Sequence, residues 1–301
     1  MHTTRILAAY LLVTASAISS WDSWAGEEVD RTLPVEPSGM VRIHNPRGDI
    51  EVHGWDRAEV RIDGELDDLA AGLTFEVDGD NTLIRVGLPE KNVNWGDGSE
   101  LDIYLPTASA LKIDSVSADI DVEEVTGAIA IRTVTGDVEL ADVGNDTRIK
   151  TVSGDVEVSE GSGILKVMTT SGDIKVDLDA SIVTADTMSG SIELRLGDFD
   201  AATLGSVNGT MQITGRLNRS GTLSAETVSG DIELELTEPV NAKISATSKA
   251  GGSIDNDLTD TEPTRQGPTA RLDTTSGDGS ALIKLSTVVG SIELEEADAA
   301  P

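Results

Sequence analysis

Residues 134–176 read VTGDVELADVGNDTRIKTVSGDVEVSEGSGILKVMTTSGDIKV. Gly136, Gly154 and Gly172 fall at a strict spacing of 18, and each opens the same phrase: glycine, aspartate, then apolar residues two and four positions on. The phase reaches back to Ala118 and forward to Gly190, then relaxes through Gly209, Gly230, Gly252, Gly277 and Gly290. A fixed period marks a repeat architecture, in which a unit too small to bury its own apolar face stacks on its neighbours.

Around each glycine the apolar positions alternate as a half-buried strand requires. Val138, Val156, Ile174 and Ile192 stand two after it, Leu140, Val158, Val176 and Leu194 four after, and Ile131, Ile149, Val167 and Leu272 five before. Val134, Val152, Met188, Val207 and Val228, two before, join the same apolar set. Three before runs a hydroxyl column that includes Thr133, Thr151, Thr169, Thr187, Ser206, Thr227, Thr274 and Thr287. The pattern predicts an all-β chain, a β-solenoid with coils of about 18 residues. About ten coils stacked at about 4.8 Å make a rod roughly 50 Å long. The competing fold, an antiparallel β-sandwich, requires neither the period nor the aligned hydroxyls.

Composition agrees with thin β-layers. Aromatics are 3% of the 301 residues, and from Leu111 onward the only one is Phe199. The core must therefore come from Val, Ile, Leu, Ala and Thr. Asp plus Glu number 54 against 22 Lys plus Arg, a formal charge of −32 that repels nucleic-acid phosphates and anionic membrane surfaces. Such acidity also fits salty surroundings, where hydrated carboxylates keep a surface soluble.

Residues 1–25 carry Arg5, an apolar run from Ile6 to Ile18 and small residues, the layout of a secretory signal peptide cleaved after Ala17 or Ala25. The apolar run is too short to span a bilayer. The expected location is periplasmic or extracellular. With no cysteine, neither a disulfide nor a lipid-acceptor thiol is available. Residues 26–107 lack the strict period and form irregular β coils, a cap whose DGDN at 78–81 reads as a hairpin turn. Trp55, Phe75, Trp95 and Tyr104 are expected to plug that end. Residues 108–295 are the regular solenoid, interrupted by a loop at 253–272, and 296–301 are an acidic tail that discourages further stacking.

The entry IHNPRGDIEVHGWDRAEVRI, the proline-terminated strand in LDIYLPTASALKI and the recurring TVSGDIEL-like coils resemble the bacterial β-strand-repeat proteins described as putative adhesins, the toastrack family of unknown function. The resemblance covers Val41 to Leu294. It implies a single-stranded right-handed β-helix at the cell envelope and supplies no catalytic residue.

The tripeptide Arg47-Gly48-Asp49 has the form of a cell-adhesion signal, yet Gly48-Asp49-Ile50-Glu51-Val52 shares the phase of Gly154-Asp155-Val156-Glu157-Val158. It is expected to be one more corner, with Arg47 in a slot held elsewhere by Ser or Thr. His44 and His53 flank this corner and are positioned to face one another across it, but two imidazoles without a third ligand make a poor metal site.

No serine elbow, cysteine nucleophile or phosphate loop is present, so no catalytic residue is assigned. The sharper feature is an aspartate column after the glycine: Asp119, Asp137, Asp155, Asp173, Asp231 and Asp278. Carboxylates about 5 Å apart repel unless each caps backbone N–H groups at its corner or a divalent cation bridges them. Asp137, Asp155 and Asp173, with Asp255, Asp257 and Asp260 in the 253–272 loop, are the calcium candidates; no other cofactor is implied. The chain is expected to be a monomeric envelope structural or adhesin-like module that contacts an envelope protein or surface glycan, without nucleic acid and without a membrane span. The alternatives are a periplasmic stress or regulatory binding protein and a polysaccharide-active enzyme.

Overall fold

The computed structural model describes residues 26–88 and 98–297, which are strands and turns without a helix. The irregular start supplies β1 (Glu28–Pro34), β2 (Met40–His44), β3 (Arg47–Trp55), β4 (Glu59–Glu65), β5 (Gly72–Asp78), β6 (Asn81–Gly87) and β7 (Ser99–Pro106). Short strands follow: β8 (Ala110–Asp114), β9 (Ser117–Glu123), β10 (Ile129–Arg132), β11 (Val138–Val143) and β12 (Asp146–Lys150). Four long strands bend through a corner: β13 (Val156–Met168), β14 (Ile174–Ser189), β15 (Ile192–Asn208) and β16 (Met211–Ser229). The remainder is β17 (Ile232–Thr237), β18 (Ala242–Ser248), β19 (Ile254–Asn256), β20 (Thr264–Gln266), β21 (Thr269–Thr275), β22 (Ala281–Val289) and β23 (Ile292–Ala297).

Each layer holds one strand before the glycine corner and one after it. The strands after the corner stack parallel and in register, with Val138 beside Val156 and Val156 beside Ile174. Those before it do the same, with Ile131 beside Ile149 and Ile149 beside Val167. Both sets of inward side chains join one apolar core, where Val138, Val156, Ile174 and Ile192 are at most 1% exposed. Each fully buried aliphatic side chain contributes about 1.5–3 kcal/mol. The architecture is thus an open, solenoid-like stack of parallel strands.

At the corner the chain comes too close to its neighbour for any side chain. Gly154 has φ +146°, and a Cβ there would overlap the carbonyl oxygen of Gly136 in the adjacent layer.

Layer order departs from sequence order at both ends. The β2/β3 layer lies between β6/β7 and β8/β9. The β22/β23 layer lies between β16/β17 and β18/β19, so Ile292 pairs with Ile232 on one side and Ile254 on the other. Gly277 is therefore not a ladder corner: Gly290 stands over Gly230, and Gly252 over Gly290. Leu272, Thr274 and Thr275 belong instead to β21, which pairs antiparallel with β18. The 253–272 segment is no simple loop, since it contributes β19, β20 and the start of β21.

Antiparallel strands cover the outermost parallel strands β6, β7 and β18, whereas the three-residue β19 pairs only with β23. β5 closes on β6 through the two-residue turn expected at DGDN, with Asp78 opposite Asn81. β4 covers β7 and is covered by β1; β21 covers β18 and is covered by β20. Reversal of strand direction and the charged sequence of β1 blunt edges that would otherwise recruit another chain. The aromatics do not plug this end: Trp55 and Tyr104 stand half-buried on an outer face with ring centroids 5.4 Å apart, while Phe75 packs partly buried on β5. Trp95 lies outside the described residues. Glu295, Glu296 and Ala297 are paired with β17 inside the stack, so the acidic tail is shorter than expected.

Candidate functional site

The aspartate column is a hydrogen-bonded ladder. Asp119, Asp137 and Asp155 each accept, on Oδ1, the backbone N–H of the next aspartate along, at 2.8 Å. Asp173 does the same for Ser191 and Asp231 for Ser291, both at 2.7 Å. The backbone N–H of the adjacent layer thus offsets the repulsion between stacked carboxylates. Asp278 stands apart, below its ordinary carboxylate range because the Ser280 hydroxyl and N–H bond to it. Of the other calcium candidates, Asp255 pairs in register with Glu293, and the Asp257 N–H donates to the Leu294 carbonyl. Asp260 lies exposed in the turn after it. Among the described residues no three His, Cys, Asp or Glu side chains converge in a metal-binding group.

The hydroxyl column is buried, and part of it ties adjacent corners together. Thr187 donates to the Gly172 carbonyl, Ser206 to Gly190 and Thr287 to Gly230, at 3.0–3.4 Å. Ser248 extends this to Gly290 at 2.7 Å. Thr151, Thr169 and Thr227 are buried without a hydroxyl partner. Thr274 is outside the column and shares its hydroxyl with Thr259 and Thr261.

The residues two before the glycine correct the expected pattern. Val134, Val152, Met188, Val207 and Val228 are 38–56% exposed and form an outer ridge with Val116. Alternation runs on through these residues, with Ile131 and Thr133 inward and Arg132 and Val134 outward, and its phase changes only across the corner between Val134 and Val138.

The Arg47-Gly48-Asp49 segment lies within β3, its Gly48 flanked by Ala118 on one side and Ser99 on the other. Arg47 does pair in register with Ser117, as its slot predicts. Its Nε donates to Asp67 Oδ2 at 2.6 Å, and the Asp67 side chain is 1% exposed. An arginine held this way is not displayed to a receptor.

His44 and His53 do not meet. His44 lies on β2, before the corner, with Nδ1 3.8 Å from Asp114 Oδ2. His53 lies on β3, after it, stacked on Tyr104 at 5.2 Å and 3.5 Å from Glu123. The two faces carry opposite charge. Outward from β6, β2, β8, β10, β12 and β13 point Arg85, Arg42, Lys112, Arg132, Arg148, Lys150 and Lys166. Behind them, outward from β3, β9, β11 and β13, Glu51, Asp121, Glu139 and Glu157 form one in-register row.

Titrating groups on each side report this. Burial holds the His44 imidazole below its ordinary value, and Arg85, Lys112 and Arg42 push it further down against the opposing pull of Asp114. Burial holds the Asp121 carboxyl above its ordinary value, with Glu139, Glu51, Asp119 and Glu123 adding to the rise. The basic face escaped sequence reasoning because its members are spread over more than eighty residues. Arg42, Arg132, Arg148, Lys150 and Lys166 recur four or six positions before a corner glycine and Lys112 six before Ala118, while Arg85 joins them only through its register with His44.

In-register layers that expose long columns of like side chains define a strand-repeat protein. A family model described as Toastrack DUF4097 matches residues 28–185 and 163–295. The chain belongs to that family. No curated protein matches it. Among solved structures it is similar to a "putative adhesin" from Bacteroides fragilis, with 14% identity over 90% of this chain and 97% of that one and a TM-score of 0.50. It is also similar to a "putative lipid binding protein" from Parabacteroides distasonis, at 16% identity over 91% and 98% with a TM-score of 0.43. A "putative adhesin" from the same organism matches at 11% identity over 89% and 98%, with a TM-score of 0.28. The first of these supports the fold. No helix among the described residues is long and apolar enough to cross a membrane.

Proposed function

We propose that the chain is an exported, non-catalytic envelope module that works by surface contact, in the manner its family's adhesin description suggests. Residues 1–25 are its signal peptide, and the coils wind as one right-handed β-helix. Blunted ends favour a monomer over end-to-end assembly. One observation carries the proposal: the interior is filled by apolar side chains from both faces, while the charged side chains stand in continuous outward columns. Chemistry in such a molecule is contact chemistry, spread along a face instead of converging on a point.

A pull-down with purified mature protein from cell-envelope extracts tests this. Retention of a defined envelope protein or glycan, with no turnover on a polysaccharide panel, is the expected result. Steady release of sugar products from any member of the panel contradicts it.

A further inference from the structure

We propose that the basic face, before the corner and over β6, β2, β8, β10, β12 and β13, is the docking strip for a linear acidic polysaccharide. The proposal rests on the surface-contact reading above and names the partner's chemistry.

Outside the strip Arg31, Lys243, Lys249, Arg265 and Arg271 make no ion pair among the described residues, and the other cations find a carboxylate. Arg57, Arg61, Lys175, Arg195, Arg216, Arg219 and Lys284 are all ion-paired. The strip differs in gathering its unpaired cations on one face. Lys112 pairs with Asp114 at 2.7 Å and Arg148 with Asp146 at 2.8 Å. Arg42, Arg85, Arg132, Lys150 and Lys166 are exposed and make no ion pair among the described residues. Five unpaired cations on five of the six layers of one face, interrupted at β8 where Asp114 stands in the Arg132 column and pairs with Lys112, leave anion-binding capacity that the protein itself does not use.

The geometry selects the partner. Arg132 and Lys150 are register neighbours, as are Arg148 and Lys166. Such neighbours stand about 4.8 Å apart along the stack, and the two columns lie about 7 Å apart along the strands. The array is therefore long and narrow, suited to a single chain lying along the rod. A flat anionic membrane would instead press on the acidic layers further along, where Asp186 and Glu226 occupy the same column. The strip's own columns hold no Phe, Tyr or Trp on which nucleic-acid bases would stack, and their one ring is His44. A second copy brings its own charge of −32. The strip's own acidic reverse side does not forbid binding. Its carboxylates point away from the strip, so a chain lying on the strip meets them only across the thickness of the core, about 10 Å before side chains are added.

The test is retention of the purified mature protein on immobilised alginate and heparin, with neutral dextran as control. Binding to both polyanions, weakening steeply with salt, is expected. R132E/K150E is expected to lower affinity roughly tenfold or more with an unchanged melting temperature. E139K/E157K, on the reverse face, is expected to keep it. Absence of retention at low salt, or equal retention by R132E/K150E, overturns the proposal. So does binding confined to phosphatidylglycerol vesicles, to single-stranded DNA or to a second copy in sedimentation. Because the polysaccharides are purified, failure here is separate from failure of the envelope pull-down.

Discussion

The carboxylate of Asp137 accepts the backbone N–H of Asp155 in the next layer, and Asp155 repeats the bond to Asp173. This acceptor role needs an oxygen but no charge. Asp155→Asn, which keeps the oxygen and removes the repulsion, is expected to retain or raise stability. Asp155→Ala is expected to lose about 1 kcal/mol in urea unfolding. Because the N–H groups already occupy the ladder, the melting temperature should be the same in calcium and in EDTA; a rise in calcium would assign Asp137, Asp155 and Asp173 to a cation.

Ile174 is 1% exposed and Val152 48%, although both belong to the repeat's apolar set. Ile174→Ala should cost about 2–5 kcal/mol. Val152→Ala should change stability by no more than about 0.5 kcal/mol. Chemical denaturation of the two variants separates core from ridge.

A Cβ at Gly154 collides with the Gly136 carbonyl, whereas one at Gly79, φ +57°, meets open space. Gly154→Ala should therefore cost upward of about 2 kcal/mol. Gly79→Ala should cost only the left-handed backbone penalty, about 1 kcal/mol.

Asp67 is buried against Arg47. Asp67→Ala leaves the guanidinium without its carboxylate and should cost about 3 kcal/mol in equilibrium unfolding. Unchanged stability would free Arg47 from the structural role assigned to it.

The opposed faces give opposed responses to acid. Asp121 has a raised pKa in the folded protein, so its ionised form opposes folding at neutral pH, and the opposition fades as pH falls through that pKa. Asp121→Asn should melt higher than the parent at about pH 7, with the gap closing toward about pH 4. His44 has a lowered pKa, so its contribution is complete above about pH 6.5 and is lost below it. His44→Gln should melt closer to the parent at neutral pH and gain on it in acid. Thermal melts across this range read both signs.

The in-register core was legible in the sequence because each inward position recurs with the glycine: Val138, Val156 and Ile174 are neighbours in space as in phase. The tripeptide at Arg47 yielded to the same phase. Layer order was not legible, since periodicity states that Ile292 stacks on an equivalent residue without saying which one. VVGSIEL at 288 is as like MSGSIEL at 188 as VSGDIEL at 228, so likeness between repeats does not choose the neighbour either. The ridge at Val134 and Val152 was misassigned because an outward corner position tolerates valine as readily as a strand interior does. The basic face shows along the chain only as a scattered recurrence before the corner and becomes evident when register sets Arg42 over Lys112 and Arg132 over Lys150 in two neighbouring columns.

The central claim is that backbone pairing, not chain order, sets a stack of parallel layers, with the β22/β23 layer seated against β16/β17. Absence of cysteine makes disulfide trapping a clean probe. Ser229 and Val289 are exposed register neighbours. Adjacent in-register strands lie about 4.8 Å apart, within disulfide reach. Under mild oxidation, S229C/V289C should form an intramolecular disulfide detectable by mass spectrometry, and V228C/K249C, separated by the intervening layer, should not. Cross-linking of V228C/K249C with S229C/V289C left reduced would place the layers in chain order and contradict the account.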